Sequence, residues 1–401
     1  MRIPKVIPDI VNRVTGRWAP PGSDPELSKG KPRLHLDYAD RDTRREQAKS
    51  RRARGGKHGG LERPMVPKAV FSSYYGRPIV KAPPWGWPIG GYLWLGGIAG
   101  GSGMLAFGAQ LMGNERLRRS TSLAAFFASG VGSLALVGDL GRPERMLNMF
   151  RVFKVTSPMS VGSYILASFA TSASFPALAE MDKILTGWGV PLPLPDWVRR
   201  LLHQAGVAGT PLAGTFGPLL ATYTGVLFAD TSVPAWKHTG TRLPMLFGSS
   251  AALASGGVAM VGTHPEDAQP ARIVALVGAG TELVTMHRMK EEMDPTVRQA
   301  YELDEPGILL GIAEAAVIVG SVGTFTAQVL SALDRAPKVN RVVSIASGLA
   351  LALGSGFTRF GVLHAGHNSA HDPRYVIAPQ RAAMDSDRAA GRVDENITTL
   401  A

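Results

Sequence analysis

The sequence predicts an all-α protein, a polytopic bundle of about eight membrane-crossing helices, and three observations carry that prediction. Charged residues make up only 18% of the 401 positions, below the roughly 25% usual in soluble domains. The charge is segregated: 19 of the 43 Lys and Arg fall between Met1 and Lys81, whereas Pro84 to about Gly366 is largely apolar. Within that apolar part stand eight windows of about 20 residues, each long enough, at a rise of about 1.5 Å per residue, to cross roughly 30 Å of hydrocarbon. The chain accordingly divides into a polar, basic arm (1–81), a membrane domain (82–366) and a polar tail (367–401).

The windows run 88–112, 119–138, 158–178, 213–229, 243–262, 271–289, 307–329 and 341–363. The first, YLWLGGIAGGSGMLAFGAQ, sets Gly96 four residues before Gly100 and Gly97 four before Gly101. That spacing lets two helix backbones approach closely; a nucleotide-binding glycine loop would need a strand before it, and none is indicated. The second window ends at Gly141 and Pro143, which together stop a helix. From Pro143 to Lys154, Met146, Leu147, Phe150 and Phe153 recur at helical spacing while Glu144, Asn148 and Arg151 fall on another face. The pattern predicts a short amphipathic helix lying in the membrane interface. Ser157 then precedes Pro158, an N-cap followed by proline at the first helical position, where the third window begins. No convincing internal repeat joins the first and second halves.

Basic residues decide orientation. With both termini cytoplasmic, that side holds 32 of the 43 Lys and Arg and the other side 10. Without the arm the count is 13 to 10 in the same direction, so the expectation is a multi-pass cell-membrane protein with cytoplasmic termini. The arm's clusters lack interleaved aromatics, which points to a membrane surface or an acidic partner and not to nucleic acid. The run RREQAKSRRARGGKHGG has no apolar stretch close behind it and reads as a solvated arm. The chain has no cysteine, so it can hold no iron–sulfur cluster, thiolate-bound zinc or disulfide of its own.

The stretch DLGRPERMLNMFRVFKVTSPMSVGSY, with YYGRPIVKAPPWGWPIGGYLWLGGIAGGSG before it and RFGVLHAGHNSAHDPRYVIAPQ after the last window, resembles the NrfD/polysulfide-reductase membrane-subunit family. The resemblance spans roughly residues 74 to 381. It implies two four-helix bundles, a quinone pocket, menaquinone in the first instance, near the face where an iron–sulfur subunit docks, and no haem or metal in this subunit. It also implies a ferredoxin-like iron–sulfur partner and, behind it, a large catalytic subunit, commonly of the molybdenum-cofactor type. Tyr92 falls where family members carry a polar pocket residue; a phenol can donate a hydrogen bond to a quinone carbonyl.

Ionisable groups inside membrane spans are costly and therefore suspect as functional. Tyr92, Asp139, Arg142, Ser160, Asp230, Glu282, His287, Glu314, Arg359 and His364 all fall towards one side of the bilayer. Asp139 and Arg142, three residues apart, can form a charge pair that orients a quinone or feeds it protons; the same pair could merely tie the second span to the interface helix. Glu282 and Glu314 are either links in a proton path, with Arg359 and Asp230, or a buried pair that fixes helix packing. Trp85 and Trp87, at the start of the first span, suit interfacial anchoring or ring stacking. The alternative of a different class is a proton- or ion-coupled transporter using the intramembrane carboxylates.

Overall fold

A computed structural model of the chain describes residues 78–140 and 143–390. Most of the basic arm, Arg142 and the end of the tail lie outside the described residues. Among the described residues every regular element is helical. Eight long helices cover the eight windows: α1 (Trp87–Leu111), α2 (Glu115–Gly138), α3 (Pro158–Gly187), α4 (Asp196–Ala229), α6 (Arg242–Gly262), α7 (Gln269–Glu292), α9 (Asp304–Ala332) and α10 (Pro337–His371). Three shorter helices, α5 (Pro234–Lys237), α8 (Pro295–Glu302) and α11 (Arg374–Ala389), lie between or after them.

Six of the eight, α2, α3, α4, α6, α9 and α10, are long and apolar enough to cross a membrane. The other two fall short for visible reasons. Glycine and aromatic residues dilute the hydropathy of α1, and α7 carries Arg272, Glu282, His287, Arg288 and Lys290. Large apolar side chains stand outward along the crossing helices, among them Leu134 at 73% exposure and Val319 at 66%. Such a belt is out of place on a water-soluble monomer and fits a lipid surround.

Local chemistry sets the helix ends. Asn114 caps α2 by accepting the Leu117 N–H at 3.0 Å. Ser157 caps α3 by accepting the Ser160 N–H at 3.4 Å, with Pro158 in the first position. Short connections make sequence neighbours antiparallel. At the end where α2 begins and α3 finishes, buried Glu180 accepts from Arg118, Arg119 and Lys183 at 2.6, 3.1 and 2.8 Å. Buried Asp182 there faces Arg199 and His203.

The packing follows one pattern twice. In the first half α1 lies against α2 and α4, α3 against α4, and α2 only loosely against α3. In the second half α6 lies against α7 and α10, α9 against α10, and α7 only loosely against α9. Each half has one glycine pair where two helices cross backbone to backbone: Gly100 of α1 on the carbonyl of Gly217 of α4, and Gly257 of α6 on that of Gly348 of α10. A hydroxyl pair bridges the same helices in each half, Tyr92 with Tyr223 and Ser250 with Ser355. The sequence shows no such repeat because only the glycines keep their chemistry between the halves. The halves meet where α6 packs against α1, α4 and α2 and where α10 touches α1, with Trp94 Nε1 donating to the Ala352 carbonyl at 2.8 Å.

The glycine spacing therefore does serve close packing. Gly100→Ala should lower thermal stability in detergent by about 1–3 kcal/mol, the usual cost of overpacking. Gly91→Ala, where an added Cβ meets nothing within 4 Å, should leave the melting temperature unchanged. Equal melting of the two variants would remove the Gly100–Gly217 crossing as a determinant of the fold.

After α2 the chain forms a 3-10 helix at Pro143–Phe150, none of whose residues is buried. It is tied to α3: the Tyr164 hydroxyl donates to the Phe150 carbonyl at 2.9 Å, and in the link that follows Ser160 Oγ accepts the Lys154 N–H at 3.1 Å. The rings of Phe150 and Phe153 meet the Tyr164 ring edge-on at 5.5 and 4.9 Å.

Candidate functional site

The first half encloses a cavity of about 320 Å³ between the starts of α1 and α3 and the ends of α2 and α4. Its walls are mostly apolar, from Ile89, Leu93, Leu136, Val137, Leu166, Leu227 and Phe228. The 3-10 segment covers it with Met146, Met149 and Phe150. Few polar groups reach it: Tyr92, Ser133, Asp139, Ser163, Tyr223 and Thr224. A concave, apolar space with a handful of convergent polar groups is the usual form of a small-molecule site.

Tyr92 and Tyr223 bond hydroxyl to hydroxyl across the cavity wall, from α1 and α4. One phenol must donate to the other, so the pair keeps a single O–H to offer elsewhere. Tyr92 is 4% exposed. Asp139 sits just past the end of α2 as its C-cap residue and faces the Gly86 backbone amide. Burial raises its carboxyl pKa above the ordinary aspartate value, and the Gly86 amide opposes that only in part. One wall is a stack of flat rings: Trp85 lies on Phe228 at 5.0 Å and on Trp236 at 5.5 Å, and Phe228 on Trp236 at 4.3 Å. Trp236 is pinned by donating to the Val362 carbonyl at 2.8 Å, and Gly366 leaves room for its ring.

The other residues singled out in the sequence lie as follows. Ser160 is taken up by the 3-10 segment, donating to the Val152 carbonyl and accepting from Lys154, and does not line the cavity. Trp87 points outward at 45% exposure, and Trp85 takes the place in the wall. Arg142 lies outside the described residues. Asp230 ends α4 exposed and apart from the cavity.

Glu282 and Glu314 come together in a second cavity of about 180 Å³ along the α7–α9 seam, with His287, Lys290 and Thr358. Glu282 is 3% exposed; its Oε1 accepts from the Thr358 hydroxyl at 2.6 Å, and the Ser250 hydroxyl also reaches its carboxylate. Glu314 is exposed on the outer side of α9. Arg359 lies fully buried between the halves, beside Gly97 of α1. Its guanidinium sits 3.8 Å over the Phe247 ring and donates from Nη2 to the Phe247 carbonyl, while Nε and Nη1 have no protein partner. Glu282 and Arg359 act on each other electrostatically.

Tyr223 is the cavity residue that sequence reasoning missed. A signal existed: a lone phenol in LLATYTGVLF, six residues before the end of α4, lies at nearly the depth of Tyr92, five residues past the start of the antiparallel α1. Met146 belongs to the apolar face that the sequence predicts for this segment and Met149 does not, yet both line the cavity, since nothing local tells a lipid-facing methionine from one turned into a cavity.

Residues 79–264 match the family model described as polysulphide reductase, NrfD. The match runs from the start of α1 to the end of α6 and takes in the whole first cavity; the stretch leaving α10 lies beyond it. No curated protein matches the chain.

Proposed function

We propose that this integral membrane protein, whose residues 79–264 belong to the NrfD family, is the quinone-binding membrane subunit of an oxidoreductase complex. In that reading it exchanges electrons between an iron–sulfur partner subunit and the membrane quinone pool. The observation that carries the reading is the first cavity. It is walled by Trp85 and Phe228 rings and closed by apolar side chains, and it holds two phenols and one carboxylate.

The donor set suits a quinone. Such a ring is flat and apolar with two carbonyl oxygens as acceptors, and it takes up two electrons and two protons when reduced. The free O–H of the Tyr92–Tyr223 pair can donate to one oxygen. Asp139, at the outer end of the cavity, can give a proton to the other or take one from it, because its raised pKa lies nearer neutrality than an ordinary aspartate's. Trp85 and Phe228 orient a bicyclic ring such as that of menaquinone, and Met146, Met149 and Phe150 keep bulk water out. Arg142, close by in sequence, would hold Asp139 or the ligand.

The repeated packing of α1–α4 and of α6, α7, α9 and α10 supports an arrangement as two four-helix bundles, with α1 and α7 crossing as well, eight spans in all. The second cavity, with Glu282 and Glu314, fits a proton path that Arg359 connects to the first half and from which Asp230 would exchange with water. The basic arm and the loops at the cavity end form the docking face for a ferredoxin-like iron–sulfur subunit and, behind it, a molybdenum-type catalytic subunit. That end is cytoplasmic by the positive-inside bias.

Purification in mild detergent, followed by mass spectrometry of partners and extraction of bound lipids, tests the reading. A stoichiometric iron–sulfur protein together with menaquinone is expected. Recovery of the chain alone and free of quinone, from gently solubilised membranes, would favour a transporter.

A further inference from the structure

Where a ligand enters the first cavity follows from three features of its surroundings. On the aqueous side the 3-10 segment covers it: Met146, Met149 and Phe150 form that wall, Tyr164 of α3 holds Phe150 by a hydrogen bond to its carbonyl and a ring contact, and Ser160 and Tyr164 hold Lys154 and Phe153 in the link that follows. On the protein side α1 and α4 close it, crossing backbone to backbone at Gly100 and Gly217. The remaining flank is the seam between α2 and α3, the loosest of the contacts between neighbouring helices of this half. Along that seam the cavity continues down α3 through Met159, Ser163, Leu166, Ala167 and Ala170, about 16 Å at 1.5 Å per residue. Of its polar groups only Ser133 and Ser163 stand on the two seam helices, and the Ser163 hydroxyl is spent on the Met159 carbonyl at 3.0 Å, so the seam is mostly apolar and side chains as small as Ala167 and Ala170 line it.

We infer that the cavity is filled sideways from the lipid through the α2–α3 seam, and that its ligand carries a long apolar tail that stays in the seam while the ring lies between Tyr92, Tyr223 and Asp139. This rests on the quinone reading and adds the tail: an isoprenoid quinone delivered by the bilayer, not a water-borne one. The volume agrees. About 320 Å³ is at the lower limit for small-molecule pockets, enough for a ring system with a short substituent, so a polyisoprenoid chain has to leave, and the seam is the apolar way out.

The chain has no cysteine, which makes thiol labelling a direct test with a readout other than turnover. Single cysteines are placed by Ala170→Cys and Ser163→Cys in the seam and by Met146→Cys under the 3-10 segment, in the full-length chain in lipid nanodiscs. A lipid-soluble maleimide is applied with and without two probes, menaquinone-4 and the tail-less 2,3-dimethyl-1,4-naphthoquinone, whose two ring positions are both substituted so that it cannot itself consume thiols. Slowing of labelling at Ala170→Cys and Ser163→Cys by at least tenfold with menaquinone-4, against little change with the tail-less probe, is the expected result. If both probes shield Met146→Cys and neither shields the seam cysteines, the seam is not the tail's route, while the quinone site survives. Equal shielding of the seam by both probes also overturns the inference. Shielding of no position by either probe overturns both the inference and the quinone reading beneath it.

Discussion

Asp139→Asn should slow quinone turnover on the order of 100-fold while the chain still assembles in the membrane. The magnitude is that of losing a positioned acid or base; the geometry is the reason to expect it here. Asp139 is the one carboxylate lining the first cavity, it lies at the cavity's outer end, and the replaced side chain keeps nearly the same shape. The pH profile separates chemistry from architecture. Burial raises the Asp139 pKa above the ordinary aspartate value, so a step that needs the ionised form gains rate as pH rises through the raised pKa, and the acid limb sits higher than an ordinary aspartate would place it. In Asp139→Asn that limb should vanish. The linkage to stability has the opposite sense. Because the folded protein holds this proton to higher pH than the unfolded chain does, the fold loses stability as pH rises from the ordinary pKa through the raised one. A residue that merely tied the end of α2 to Gly86 would show the stability change in the variant and a turnover profile like that of the parent. Normal turnover in assembled Asp139→Asn would take the residue out of the mechanism.

Much of this architecture could be read from the residues. Apolar windows separated by Gly, Pro and capping residues place eight helices, since membrane-length hydrophobicity and helix stop signals are local properties. Ser157–Pro158 marks the start of α3 for the same reason. Gly100 announced a close approach, but its partner Gly217, more than a hundred residues away, was beyond any local pattern. Position along each helix was legible too, and Tyr92, Asp139, Glu282 and Arg359 lie in the halves of their helices nearer the cavity end. Facing was not. Glu314 and Glu282 have nearly equal depth, yet one faces outward from α9 and the other is buried against Thr358, because rotation about a helix axis is set by neighbours. Ser160 reads as a polar group at the mouth of a site and is instead consumed by the backbone of the segment before it. The duplicated packing stayed hidden for a related reason: Tyr92 with Tyr223, and Ser250 with Ser355, hold equivalent helices together with side chains of unlike size.

Arg359→Leu alone should cost about 3–5 kcal/mol and leave little folded protein, because it strips the counter-charge from a buried carboxylate. Arg359 is fully enclosed, and Glu282 is nearly so, with two nitrogens of the Arg359 guanidinium that find no protein partner. Orphaned buried polar atoms of this kind are expensive unless water reaches them, and water is what a proton path between the second cavity and Arg359 would need. The double variant Arg359→Leu with Glu282→Leu removes both charges and fills the space with apolar side chains. Removing two buried opposite charges together, with apolar side chains in their place, is often neutral or stabilising, so the double variant should recover most of the folded yield, measured by size-exclusion chromatography in detergent, relative to Arg359→Leu. Function then divides the two readings of the pair. If Glu282 and Arg359 only fix the packing of α7 on α10, the rescued double variant should take up protons in liposomes like the parent. If they carry protons, it should fold, keep its quinone in the first cavity and lose proton uptake. The conservative Glu282→Gln keeps the Thr358 hydrogen bond and the shape of the site, and proton uptake should fall in that variant too, with folded yield near the parent's. Proton uptake unchanged in both variants would confine Glu282 and Arg359 to architecture, with the first cavity's chemistry standing apart from them.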